Sequence, residues 1–355
     1  MIENWYIEKI YHFNETPIFE KASVSTIIFK FIKTKKKNNN TIKVAKYFNN
    51  KKLDNIILDN LLNYVEQEAA EYFEIEQFKT NKSWILAHND IIKELSLYEN
   101  SCKKVNWSND YHTIKDFCDI WNWMVSWLDK AFQIDISVCN IEEKKHLLSV
   151  IKAKNLKPYK HWDITNYLFL NDIVKDEKEF KNTYPNFYRQ LEPYIENLNK
   201  RYQYNRKINY WEWVFLRNYK LFSRKEERIF VPCKERISNK DYFRFSLVEE
   251  KLYPTQDVTA IFKKEDTEED IYYILALLNT RYVFDWLRFN WIVKWNIVEF
   301  SEKPIASIPY RKIDFNNNKE LEIHNKIVIL TKEYIKSNNS DTLEELNIEI
   351  EKLFI

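Results

Sequence analysis

VPCKERISNKDYFRFSLVEEKLYPTQDVTAI at 231–261 is followed by YYILALLNTRYVFDWLRFN at 272–290 and VEFSEKPIASIPYRKID at 298–314. The middle stretch has helical spacing: Thr267 with Asp270 three residues on marks a start, and Ile271, Ile274, Leu275, Leu278 and Tyr282 form one apolar stripe, predicting a helix over 267–289. WIVKWNIVEF at 291–300 then reads as a hairpin. Upstream, 101–262 mixes short strand-like runs and loops, punctuated by Pro158, Pro185, Pro193, Pro232 and Pro254, as in a loop-rich α+β module. Downstream, Ile323, Ile327, Leu330 and Tyr334 make a second stripe. A capping box at Asp341 and Glu344 opens a third, with Leu346, Ile350 and Leu353, so the chain closes on an antiparallel helix pair.

At the other end, IEKIYHF (7–13) and SVSTIIFKFIK (23–33) are β-branched and aromatic runs that predict two neighbouring strands at a sheet edge. KTKKKNNN at 33–40 marks a solvated loop. From 51 to 78 the spacing of Leu53, Ile57, Leu61, Leu62 and Val65, with Asp54 and Asp59 on the polar side, predicts a helical connector.

With 45% hydrophobic and 30% charged residues the 355-residue chain is large enough for two domains. A net charge of +2 confines any nucleic-acid surface to a local patch. Cys102, Cys118, Cys139 and Cys233 are widely spaced, which points to reduced thiols and away from zinc. No apolar run approaches the roughly 18 residues of a membrane span, and Glu3 and Glu8 do not suit a signal peptide, so a cytoplasmic location is expected. Complete active sites are missing from the pattern. There is no glycine for a phosphate loop or a serine elbow, and no His-Glu-x-x-His spacing. His12, His88, His112, His146, His161 and His324 are scattered, and the pair Glu249–Glu250 reads as solvated.

What remains is close alternation of aromatic and basic residues, at 157–167 (KPYKHWDITNY), 201–220 (RYQYNRKINYWEWVFLRNYK) and 229–245 (IFVPCKERISNKDYFRF). Two readings stay open on the residues alone. Stacking platforms beside phosphate-binding cations suit a nucleic-acid surface. Core strands with aromatics inward and lysines outward have the same composition.

Taken together, 231–261, 272–290 and 298–314 resemble the C-terminal target-recognition module of adenine-specific (N6) DNA methyltransferases from type II and type IIG restriction-modification systems, the TaqI-like group included. The likeness rests on a Tyr-Pro-Thr-Gln-Asp step, an Ile-Leu-Ala-Leu-Leu-Asn helix and the Pro-x-x-x-Ile-Pro turn of 304–309, in that order. WNWMVSWLDKAF at 121–132 is similar to the family's opening recognition turn, and the first strands to the last strands of its catalytic domain. The resemblance implies an α+β fold: edge strands of a Rossmann-like methyltransferase domain over 1–50, a helical connector over 51–100, a mixed α/β target-recognition domain over 101–315 and a C-terminal helix pair over 316–355. It implies double-stranded DNA as partner and S-adenosylmethionine as the cofactor of the complete family enzyme. The family's Asn-Pro-Pro-Tyr/Phe motif, which holds a flipped adenine, has no counterpart, since no Asn-Pro dipeptide occurs. We therefore expect this chain to choose the DNA site, to bind no cofactor itself, to be inactive alone and to work with an upstream catalytic fragment. Lys130, Lys234, Arg236, Lys240, Arg288 and Lys294 are the expected DNA contacts, with Tyr253, Pro254, Gln256 and Asp257 shaping the start of a strand. The competing readings are a truncated remnant or protein-interaction subunit, and a single-strand RNA-binding module.

The chain contains 12 tryptophans and no glycine, where average usage gives roughly 25 glycines in this length. The resembled family carries glycines in its recognition turn and hairpin, at the places of Trp121, Trp123, Trp127, Trp291 and Trp295; Trp5 and Trp162 follow the same rule. An indole in a tight turn stores roughly 1–3 kcal/mol of strain, so we read these tryptophans as UGA codons decoded as glycine in the source organism. Sequencing the gene checks this directly: UGA is expected at codons 121, 123, 127, 291 and 295, and UGG there overturns it.

Overall fold

The computed structural model describes residues 5–14, 16–19, 24–33, 41–48, 53–78, 84–104, 110–122, 125–202, 205, 207–216, 218–237, 240–291 and 297–354. It divides into two units: 1–99 with 285–297, and 100–284 with 298–355.

In the first unit, period-2 alternation builds a sheet of four strands in the order Ile27–Lys33, Trp5–His12, Thr41–Tyr47, Ala70–Glu76. The outer pairings are antiparallel and the central one parallel, with a register shift between Ile7 and Lys9. The edge strand pair is the one read from the sequence. Alternation sends Ile10, Val44, Phe73 and Ile75 to one face, against Phe78, Leu86 and Ile92. Tyr11, Ala45 and Tyr47 go to the other, against Leu53, Ile57, Leu58 and Leu61. Each face is thus covered by a helix, Asn89–Ser101 on the first and Asn55–Asn63 on the second. The helix expected over 51–78 is corrected here. It stops at Asn63, where Tyr64 takes a left-handed conformation and donates its N–H back to Asn60 and Leu61. Phe73 and Ile75 then alternate as the fourth strand instead of continuing a helical stripe.

The second unit is centred on a sheet ordered Cys118–Asn122, Val258–Lys263, Arg228–Pro232, Ser246–Val248, Tyr159–Lys160. Its first three pairings are antiparallel and the last parallel. Every residue of Arg228–Pro232 is buried, as expected of a central strand covered on both faces. A three-stranded sheet, Leu252–Pro254, Leu147–Ile151, Thr165–Leu168, shares its core. That core is pinned by Trp213, whose indole N–H donates to the Leu168 carbonyl at 3.0 Å while its ring meets Phe132, Tyr167 and Phe169 edge-on. Asn171 bonds both the N–H and the carbonyl of Trp213, fixing the loop that carries it.

Three helical expectations change in detail. The helix expected over 267–289 is two helices, Ile271–Leu278 and Arg281–Asn290, separated at Asn279 and Thr280. Its N-cap is Asp270, which accepts from Tyr272 N, whereas the Thr267 hydroxyl bonds the Phe117 carbonyl. The C-terminal pair is present as Asn318–Ser337 and Ser340–Glu351, but the second helix is capped by Asn339, accepting from Asp341 N, and not by Asp341. The expected hairpin lies largely outside the described residues, which resume at the strand Ile297–Glu299. Trp123 and Trp295 also fall outside them, as does most of 33–40. Among the described tryptophans only Trp127 is left-handed, at φ 78° and half exposed; Trp121 lies in an extended strand opposite Ala260.

His12 ends the first strand with its Nδ1 buried and unpartnered. Burial, and then the Lys46 charge, push its pKa down to about 4. Between the unfolded value near 6.5 and about 4, the unfolded chain binds a proton that the folded chain does not. The stabilisation is therefore complete above pH 6.5 and lost as pH falls through this window, by at most about 1.4 kcal/mol per pH unit. His112 shifts in the same direction through burial. Denaturant unfolding at pH 7, 6 and 5 should show a shallower pH slope for His12→Gln than for the wild type; equal slopes overturn the assignment to His12.

Candidate nucleic-acid interface

Five distant stretches meet at one end of the five-stranded sheet of the second unit. Cys233, which follows the strand Arg228–Pro232, donates its N–H to the Asp257 carbonyl at 2.7 Å and accepts from Phe300 N at 2.7 Å. Its thiol lies 3.2 Å from the Thr259 hydroxyl, and burial pushes the thiol pKa up. The Thr259 hydroxyl reaches the Phe300 carbonyl at 2.6 Å and Asn122 Oδ1 at 3.0 Å. The Asn122 carbonyl in turn accepts from the Asn218 side chain at 2.9 Å. Short polar side chains thereby lock together the start of the 121–132 turn, the strand exit at 233 and the chain beyond 297. The Thr255 hydroxyl donates to Asp257, in keeping with a shaping role for that segment.

From this end runs the strand Lys234–Arg236, paired with Ile297–Glu299. Lys234 and Arg236 point outward and Glu235 inward. Lys234 meets Glu299 across the strand pair at 3.2 Å, an exposed ion pair of small energy. Glu235, 3% exposed, binds Lys240 at 2.6 Å and Arg244 at 2.7 Å. Arg244 also donates to the carbonyls of Ala153 and Leu156. Lys240 is thus committed to a buried carboxylate. Arg236 has no ion pair with any described residue.

Lys130 is exposed on the short helix Asp129–Phe132, whose entrance is held by the Ser126 hydroxyl donating to Asp129. Arg288 is exposed in the helix Arg281–Asn290, its guanidinium 5.3 Å from the Phe289 ring, and belongs to the first unit. Lys294 lies outside the described residues. Lys130, Lys234 and Arg236 therefore share the second unit and stay accessible. Sequence reasoning passed over Lys152, which is half-buried with Nζ 5.7 Å from the Tyr167 ring centre. Burial, the Lys154 charge and opposing pulls from Asp129, Asp257 and Asp163 leave its pKa lowered.

The choice left open for the aromatic-basic stretches resolves mostly inward. Tyr159, Tyr167, Tyr210, Trp211, Trp213, Phe230, Phe243 and Phe245 are buried, while Trp162, Tyr202 and Tyr242 are exposed. Core strands account for most of this alternation.

Neither of two cavities among the described residues fits S-adenosylmethionine. A cavity of about 280 Å³ is lined by Cys102, His112, Arg311 and Glu320, and its Arg311 and Glu320 neutralise each other at 2.9 Å. A second, of about 380 Å³, is walled by Leu147, Leu148, Phe169 and Tyr219, and its Asn171 amide is already spent on the Trp213 backbone.

Over its whole length the chain is 41% identical to the type II methyltransferase M.HindII of Haemophilus influenzae, spanning 68% of that protein. It belongs to the type II methyltransferases. M.HincII, also of Haemophilus influenzae, is 40% identical over the whole chain, which spans 67% of it. M.MjaIV of Methanocaldococcus jannaschii is 32% identical over 68% of this chain and 79% of its own. No protein-family model matches this type II methyltransferase chain. Its fold is that of part of the type IIL restriction-modification enzyme MmeI, solved in complex with DNA: TM-score 0.57 at 12% identity, covering 99% of this chain and 43% of MmeI. Among the described residues no helix is long and apolar enough to cross a membrane.

The Glu235 cluster separates a structural cation from candidate binding cations. Glu235→Ala should destabilise the protein by roughly 3 kcal/mol by stranding two partly buried cations. Lys240→Ala should lower the thermal midpoint, whereas Arg236→Ala should leave it in place. A Lys240→Ala midpoint equal to that of the wild type overturns the structural assignment.

Proposed function

We propose that this chain is the sequence-recognition part of a DNA adenine-N6 methyltransferase of a restriction-modification system. In this reading it binds duplex DNA through the second unit and does not transfer a methyl group alone. The observation that carries it is the pairing of whole-chain similarity to type II methyltransferases with a second unit that keeps Lys130, Lys234 and Arg236 exposed on separately anchored segments. Cations held on rigid elements fix register on phosphates, and base edges are read by the groups between them.

The sequence has no Asn-Pro dipeptide, so nothing in it orients and stacks on a flipped adenine in the family's manner. S-adenosylmethionine and the adenine pocket are accordingly assigned to a catalytic methyltransferase polypeptide acting with this chain. The RNA reading is disfavoured because a stacking surface needs exposed aromatics and most of these are core. The domain boundaries at about 50, 100 and 315 form part of the same proposal.

The test is a salt series of binding to a randomised duplex library, followed by incubation with methyl-labelled S-adenosylmethionine. Expected are selection of one sequence, a log-affinity against log-salt slope of magnitude about 3 or more, and no label in DNA. Undetectable or salt-insensitive binding overturns the recognition role, and label transfer by the chain alone overturns the division of labour.

A further inference from the structure

Lys152 follows the strand Leu147–Ile151, whose last carbonyl, of Ile151, accepts from Thr255 N at 3.2 Å, while the Lys152 ammonium faces Tyr167, which pairs with Gln133 at the end of the helix Asp129–Phe132. The carboxylate of Asp129, the residue before Lys130, acts on that ammonium. So does that of Asp257, two residues after Thr255, whose carbonyl accepts from Cys233 N, the residue before Lys234. The third carboxylate acting on it is Asp163, and Lys154 is the neighbouring cation. Beneath it the buried Tyr167 ring faces the ammonium, and the Tyr167 hydroxyl accepts from the Gln133 amide at 3.1 Å.

This arrangement differs from a surface phosphate contact in three ways. The side chain is half-buried against an aromatic face, which holds the ammonium in place and removes much of its rotamer freedom. Its near surroundings carry carboxylates, which repel a phosphate oxygen. Those carboxylates are also fixed through Oδ1, Asp129 by the Ser126 hydroxyl and Asp257 by the Thr255 hydroxyl, and neither Oδ2 has a hydrogen bond among the described residues. One fixed donor flanked by fixed acceptors matches the major-groove edge of a G·C pair, where guanine offers O6 and N7 and cytosine offers its N4 amino group.

We propose that Lys152, held over Tyr167 beside the segments that carry Asp129 and Asp257, is a specificity-determining residue that donates to a guanine edge while a carboxylate of those segments accepts from the paired cytosine. The assignment rests on the duplex-recognition reading above and adds to it which residue reads a base and which base pair it reads. A phosphate contact changes affinity for all sequences and the salt slope together; a base contact changes preference at one position and leaves the slope alone.

The experiment selects sites from a randomised duplex library with the full chain as wild type, Lys152→Gln, Asp257→Asn and, as a control on the helix Glu177–Thr183, Lys178→Gln. For Lys152→Gln the expected result is loss of a guanine preference of tenfold or more at one position, with the salt slope and thermal midpoint of the wild type. Asp257→Asn should relax the same base pair, and it carries the test if Lys152→Gln fails to fold. Lys178→Gln should select the wild-type site. Unchanged preference at every position in both variants overturns the proposal, as does a salt slope reduced by about 1 with preferences intact. If the wild type selects no sequence, the recognition role itself fails, which is a different outcome from an unchanged variant.

Discussion

As translated, with tryptophan at the UGA-suspect codons, every described turn of this chain is made by a residue with a side chain. Glycine relieves the clash between Cβ and carbonyl that makes positive φ costly, by roughly 1–2 kcal/mol for other residues. The left-handed positions here fall first to Asn14, Asn205, Asn218, Asn338 and Asp172, whose short polar side chains tolerate that region best. Asn338 ends the 20-residue helix Asn318–Ser337, with its N–H returned to the Tyr334 carbonyl at 2.8 Å. Tyr64, Tyr159, Lys251 and Trp127 are the harder cases. Tyr64 lies among Tyr11 and Tyr72, and Tyr159 meets Tyr334 edge-on at 4.9 Å, so ring packing offsets the backbone strain. Trp127 is half exposed and has no such compensation in ring contacts among the described residues. That asymmetry singles it out as the tryptophan whose backbone most favours glycine.

Loops that lack glycine are tied down by buried charge. Arg228 is fully buried in the central strand, its guanidinium stacked 5.0 Å from the Phe262 ring. It donates to the carbonyls of Phe222, Arg224 and Glu226, closing the turn that precedes the strand. Glu143 does the converse. Fully buried, it accepts from the backbone N–H groups of Asn140, Asn186 and Phe187 and from the Asn186 amide, fixing the start of the helix Pro185–Leu191. Unsatisfied backbone groups cost about 1–3 kcal/mol each when buried, so each side chain stabilises several at once. The same device appears at Glu235, where it fixes Lys240 and Arg244.

Patterns that depend on one element's own periodicity were legible, and patterns that depend on a distant partner were not. The strands Trp5–His12 and Ile27–Lys33 and the C-terminal helices followed from alternation and stripes. Thr41–Tyr47 was missed because it abuts the lysine-asparagine run, and Ala70–Glu76 because the stripe from Leu53 to Val65 appeared to continue through it. The break at Asn279–Thr280 leaves no gap in apolar spacing; it exists because the Thr280 hydroxyl accepts from Val283 N and restarts the helix. At the candidate interface, outward-facing Lys234 and Arg236 were readable from the segment. Lys240 was not separable from them, because its partner Glu235 is hidden by strand alternation, and Lys152 is one cation among 55 until the fold places it over Tyr167.

Near-neutrality bears on how such a surface discriminates. A net charge of +2, with Lys240 and Arg244 internally paired and Lys234 partly so, leaves few cations to drive sequence-independent attraction. For a DNA-recognition role, that weakens binding to every sequence alike. Base-edge contacts add roughly 1–3 kcal/mol of discrimination each and are insensitive to net charge. Their value depends on donors and acceptors held to within a fraction of an ångström, because a loose group finds water as readily as the wrong base. The Cys233–Thr259–Asn122–Asn218 network provides that rigidity at the sheet end, using side-chain hydrogen bonds between strands instead of glycine-shaped turns. Under the proposed recognition role, such a surface would trade indiscriminate affinity for fixed geometry, and its selectivity would rest on the anchored polar groups between the lysines more than on the lysines themselves.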